Sequence, residues 1–152
     1  MWCRLIVLEI WGAFKLIWII RLYLLVMGFI YGLIGIWALL DPMFVALELD
    51  YPSFLDAVGL SISAQIGYSE IAGIYGGLNL CIGIMCLVGI FKNNIGIFSI
   101  KFITFLVASI ALGRVLFSLI PTTPSFYNEY FVFEIIAFGI GLSLLFFNKK
   151  LN

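Results

Sequence analysis

Residues 22–40, LYLLVMGFIYGLIGIWALL, run for nineteen residues without a charged side chain and close on Asp41-Pro42. At about 1.5 Å of rise per residue, a helix of that length roughly matches the ~30 Å hydrocarbon core of a bilayer. The stretch therefore reads as a membrane-spanning helix, and the rest of the chain repeats the pattern. Further apolar runs occupy residues 70–91, residues 95–120 before Pro121, and residues 130–147 before Asn148-Lys149-Lys150. The expected fold is an all-α integral membrane four-helix bundle formed by residues 21–152 as one domain.

Composition points the same way. Of 152 residues, 64% are apolar or aromatic and 11% are charged, against about a quarter charged in soluble domains. Eight basic residues balance eight acidic ones, and no basic patch suited to nucleic acid stands out. The chain has no histidine, which removes the commonest general base and the commonest metal ligand. Cys3, Cys81 and Cys86 form no CxxC pair and read as small apolar filler. No metal or cofactor is expected, although a bound lipid or quinone would suit so apolar a bundle.

Charge placement gives the orientation. The connection over residues 41–69 carries Asp41, Glu48, Asp50 and Asp56 without a Lys or Arg, and residues 121–129 are also free of basic residues. Arg4, Lys15, Arg21, Lys92, Lys149 and Lys150 all fall on the opposite side. By the positive-inside rule both termini and the Lys92 turn are expected in the cytoplasm, which puts the protein in the inner (cytoplasmic) membrane. Lys101 snorkels back toward that side. Arg114 is the one basic residue this topology leaves unexplained.

Residues 1–20 are apolar but interrupted by Arg4, Glu9 and Lys15, and no small-residue cleavage site follows, so the segment is expected to be retained. At about 100° per residue Arg4, Trp11, Lys15, Trp18 and Arg21 share one arc, with Leu5, Leu16, Ile17 and Ile20 largely opposite. This predicts a separate helix lying in the cytoplasmic interface with its aliphatic face toward the acyl chains. The 41–69 connection, with its apolar stretches 44–47 and 54–60, predicts a short amphipathic segment across the outer face.

Each span carries small residues four apart that let helices approach closely. They are Gly28 and Gly32; Gly73 and Gly77, with Gly76 beside them; Ser109 and Gly113; and Ala137 and Gly141. Packing within the chain is the expected use, and packing against a partner the alternative.

Three charged residues lie in the outer halves of the spans: Glu70, Arg114 and Glu134. Charge inside a membrane costs at least about 2.5 kcal/mol on insertion scales, so such groups are expected to pair. Arg114 and Glu134 sit at matched depths, roughly 10 Å inside their helix ends, and Tyr75, Asn79 and Ser118 approach the same level. One guanidinium between two carboxylates would leave a surplus negative charge and a proton-sensitive site. A structural lock and a ligand or proton site are both open readings of this cluster.

The stretch Glu70-Ile71-Ala72-Gly73-Ile74-Tyr75-Gly76-Gly77, the later Leu112-Gly113-Arg114, and Glu134 near the start of the last span resemble the DoxX-like small four-helix bacterial membrane proteins, in a branch classed as a domain of unknown function. The resemblance covers about residues 20–148 and implies that Glu70, Tyr75, Gly76, Gly77, Arg114 and Glu134 are characteristic positions. Ala72 departs from the pattern, which usually has an Arg there. The function expected first is a non-catalytic accessory subunit of a larger membrane complex, with lipid, other membrane subunits or a second copy as partners. A binding module for a lipid or quinone-like ligand at the Glu/Arg/Glu cluster is the alternative, and a small transporter or pore subunit follows.

Overall fold

The computed structural model describes residues 2–47, 52–118 and 128–151, with the side chains of residues 2–13, 45, 46, 65, 150 and 151 left aside. Six α-helices follow in order: α1 (Trp2–Ala46), α2 (Phe54–Val58), α3 (Gln65–Ile71), α4 (Asn79–Phe91), α5 (Asn93–Phe117) and α6 (Glu129–Leu151). A π-helical segment, Ala72–Leu78, joins α3 to α4. No strand occurs among the described residues. Four stretches are long and apolar enough to cross a bilayer: Phe14–Phe44, Ile66–Phe91, Asn93–Phe117 and Glu129–Lys149. The chain is thus a four-helix bundle of membrane-spanning type.

The core is a column of side chains drawn from every span: Leu24, Met27 and Tyr31 of α1, Ile82 and Cys86 of α4, Ile100, Ile103 and Val107 of α5, and Ala137 and Leu144 of α6. The α1–α4 seam is the most extensive, followed by α5–α6 and α4–α5, while α1 and α6 touch only lightly.

Glycine sets the α1–α4 seam. A methyl group on Gly83 would lie 2.7 Å from the Gly32 backbone nitrogen, one on Gly28 would lie 2.9 Å from Leu87, and one on Gly35 would collide with the Leu80 backbone. A methyl group on Gly76 would lie 2.6 Å from Leu39, and one on Gly89 would lie 2.8 Å from Gly96, where α4 turns into α5. The working pairs along each helix, Gly28 with Gly35 and Gly76 with Gly83, are seven residues apart. In α1 that is two full turns, the repeat expected of nearly parallel helix axes; Gly76 lies in the π-helical segment, whose wider turns change the second interval.

The bundle itself uses part of the expected packing set. Gly28, Gly76, Ala137 and Gly141 meet other elements of the bundle, Gly141 against Thr104 and the Tyr23 hydroxyl, while Gly32 meets Gly83 through its backbone and a side chain on it would find no atom within 4 Å. Gly73, Ser109 and Gly113 are exposed, and neither Gly73 nor Gly113 has an atom within 4 Å of where a side chain would project. Gly77 is likewise exposed, and its Cβ would meet no closer atom than its own helix's Ala72 carbonyl at 3.7 Å. Spacing by four places residues on one face without saying which face the bundle uses.

The N-terminal region continues directly into the first span. α1 is one unbroken helix of 45 residues, with no boundary near residue 20 and with Pro42 inside its last turns. Proline in a last turn forfeits one backbone bond without stopping a helix whose preceding turns are already packed. Leu16 and Ile20 pack toward the bundle core, while Ile17 is exposed. Arg4 and Trp11 have side chains outside the described residues.

Register fixes how far α1 reaches. Leu24 lies against the Gly89–Gly96 turn, and Leu16 and Ile17 share a cavity with Asn93, Asn148 and Lys149. Since α6 ends at Leu151, residues 2–13 of α1 extend past the other described helices by about 18 Å.

Candidate functional site

At the α2 end of the bundle, Arg114 of α5 meets Glu134 of α6. The Arg114 Nε donates to both carboxylate oxygens, each at 3.1 Å, with the Glu134 side chain 8% exposed and that of Arg114 33%. The guanidinium also lies over the Tyr130 ring, 6.0 Å from its centroid, one turn before Glu134. Matched depth on adjacent helices brought this pair together, as expected.

The rest of the expected cluster disperses. Glu70 is exposed and makes no hydrogen bond or ion pair among the described residues. The pair is therefore one cation with one anion, and the surplus carboxylate that would make the site proton-sensitive is elsewhere. Ser118 turns back on its own helix and donates to the Val115 carbonyl at 2.6 Å. Asn79 donates to the carbonyls of Tyr75 at 2.8 Å and Ile74 at 3.4 Å. These carbonyls belong to the π-helical segment, whose wider turns displace the usual bonding pattern, so Asn79 supports the Tyr75-Gly76-Gly77 backbone.

Tyr75 works through its ring, which packs 5.5 Å from Phe54 of α2, itself 5.6 Å from Trp37. Beneath them lies Asp41, 1% exposed, whose Oδ1 accepts the Phe54 N–H at 2.6 Å. The Trp37 Nε1 donates to the Pro52 carbonyl at 3.0 Å, and the Tyr130 hydroxyl to the Ala57 carbonyl at 2.9 Å. The expected amphipathic segment thus exists as α2, tied to α1 by Asp41 and Trp37, to the π segment by Tyr75 and to α6 by Tyr130. Asp41 was read as a helix-ending residue, and only its place one residue before a proline inside an apolar helix could have marked it.

At the opposite end, a cavity of about 1040 Å3 opens between α1, α5 and α6. Asn93, Asn94, Lys101, Asn148 and Lys149 line it together with aliphatic side chains of all three helices. Neither lysine has an ion pair among the described residues. Of the expected interface residues, Lys15, Trp18 and Arg21 are exposed here, and the Arg21 guanidinium lies 5.5 Å from the Trp18 ring centroid. A second groove, about 420 Å3 and wholly apolar, follows the α1–α6 seam, lined by Ile19, Leu22 and Tyr23 at one end and Phe133 at the other. The Tyr23 hydroxyl bridges this seam to the Ala137 carbonyl at 3.2 Å. No group of three His, Cys, Asp or Glu residues able to hold a metal occurs among the described residues.

Fold and hydropathy together define a multi-pass membrane protein built as a four-helix bundle. Compared with protein-family models, with curated proteins and with solved structures, the chain matches none.

Proposed function

We propose that this chain is a non-catalytic accessory subunit of a larger membrane assembly, held in the inner (cytoplasmic) membrane with both termini on the cytoplasmic side. The observation that carries the reading is the length of α1. Its residues 2–13 run beyond the other described helices as a direct continuation of a spanning helix, yet their sequence, WCRLIVLEIWGA, is mostly apolar. Covering apolar surface is worth roughly 25 cal/mol per Å2, so a mostly apolar sequence in this position favours a covering partner. The charge-paired α2 end supports the same reading, because Arg114 and Glu134 satisfy one another and serve as a tie between helices. Kinship with DoxX-like four-helix proteins is part of the proposal and rests on the motif at 70–77, Arg114 and Glu134.

Purification in mild detergent followed by mass determination tests this. The expected result is a particle containing a second polypeptide that is lost when residues 2–13 are deleted, while helicity and thermal stability persist. A lone 17.1 kDa species, or a complex indifferent to the deletion, overturns it.

A further inference from the structure

We infer that the basic cavity between α1, α5 and α6 is a binding site for an anionic phospholipid, with the phosphate held by Lys101 and Lys149. Three helices build the cavity at one level. On α5, Asn93, Ile97 and Lys101 follow at four-residue spacing, which puts them on one face. Lys101 thereby lies about 12 Å along the helix from Asn93, in the apolar part of a span. A lysine at that depth needs either an acidic partner or a route for its ammonium to a polar group. The described lining of the cavity contains two lysines and three asparagines and no Asp or Glu, so no acidic partner stands among the described lining residues.

A phosphodiester supplies it. Each ammonium offers three donors and each asparagine amide two, with no competing anion, while phosphate and ester oxygens are acceptors only. The floor argues for a lipid over a free anion. Leu16, Ile20, Ile97 and Leu145 have nothing to offer an inorganic ion but are suited to methylenes. The apolar α1–α6 groove begins within one to two turns of this floor, at Tyr23 on α1 and Ile140 on α6, and gives an acyl chain a track toward the middle of the bundle. Lys92, exposed at the α4–α5 turn, and Lys15 and Arg21, exposed on α1, are further basic residues of this end. The site thus lies where the sequence places the cytoplasmic leaflet, which carries the anionic lipid.

The full-length protein, delipidated in neutral detergent, is titrated with phosphatidylglycerol and with phosphatidylcholine of the same acyl chains, and retained lipid is counted by native mass spectrometry. One phosphatidylglycerol per chain should be retained at roughly tenfold lower concentration than phosphatidylcholine, about 1.4 kcal/mol of preference. The double variant Lys101→Gln/Lys149→Gln should lose that preference, and Lys101→Arg/Lys149→Arg should keep it. Both lysines are exposed, so the lipid-free melting temperature of either variant should match wild type, which separates lost binding from lost folding. Equal retention of the two lipids by wild type, or an undiminished preference in the Gln variant, overturns the site. Inorganic phosphate competing as well as the lipid overturns the assignment to a phospholipid.

Discussion

The Arg114 Nε hydrogen bonds to both oxygens of Glu134, a carboxylate that is almost completely buried while the guanidinium remains at the bundle surface. The asymmetry decides which partner needs the other. Losing one member of a buried pair costs about 3–5 kcal/mol, because the remaining charge is stranded; Arg114, a third exposed, can still reach a polar environment by itself. Arg114→Leu should therefore destabilise by about 2–4 kcal/mol and Glu134→Leu by less, and the double variant should recover much of the loss. Unfolding by SDS titration followed through tryptophan fluorescence measures the cycle, and additive losses would mean that the pair is not a lock.

The glycines divide by what lies opposite them. Gly83→Val drives a branched side chain into the Gly32 backbone, which cannot rotate away, and should cost about 3 kcal/mol or more. Gly113→Ala enters open space on an exposed helical face and should be neutral or stabilise by up to about 1 kcal/mol. Thermal unfolding of the two variants in one detergent compares them directly. A similar loss in Gly113→Ala would place a partner helix on that face.

Much of this arrangement could be read from residue order, and the boundary of what could be read is physical. Hydropathy gives depth along the membrane normal, and depth sufficed for the spans and for Arg114 with Glu134. It gives no azimuth. Glu70, expected nearer the outer surface than Arg114, is exposed, and the π-helical segment just after it breaks the 100° step on which any facial assignment of Tyr75 and Asn79 depends. The same ambiguity leaves Gly73 and Gly113 on exposed faces, while Gly35 and Gly83 stand seven, and not four, residues from Gly28 and Gly76. Residues 1–20 were divided from the first span by their charges, but helical continuity depends on backbone hydrogen bonding, which a few Lys and Arg side chains do not interrupt.

Asn79 offers a test of the π-helical segment. Its amide serves the Tyr75 and Ile74 carbonyls within a membrane-spanning stretch, where no water stands ready to replace it. Asn79→Leu should cost about 1–3 kcal/mol. Backbone amide exchange should accelerate over residues 72–79 and stay unchanged in α5. Unaltered exchange there would show that the segment holds its shape without the amide.

Asp41 and α2 provide the last test, one of local order. A helix of five residues cannot stabilise itself, so α2 depends on what anchors it. The Asp41 Oδ1 accepts the first N–H of the helix, and the Trp37 and Tyr75 rings flank Phe54. A hydrogen bond to a charged group contributes about 1.5–3 kcal/mol, which corresponds to roughly ten- to hundredfold in the opening equilibrium of α2. Asp41→Ala should raise the exchange rate of the Phe54 amide by that factor and shift Trp37 emission as its bond to Pro52 loosens. The core amides of α4 and α5 should keep their wild-type rates. Asp41→Asn, which retains an acceptor oxygen without the charge, should fall between the two. If Phe54 exchanges at the wild-type rate in Asp41→Ala, the aromatic stack alone holds α2 in place and the buried carboxylate has some other use.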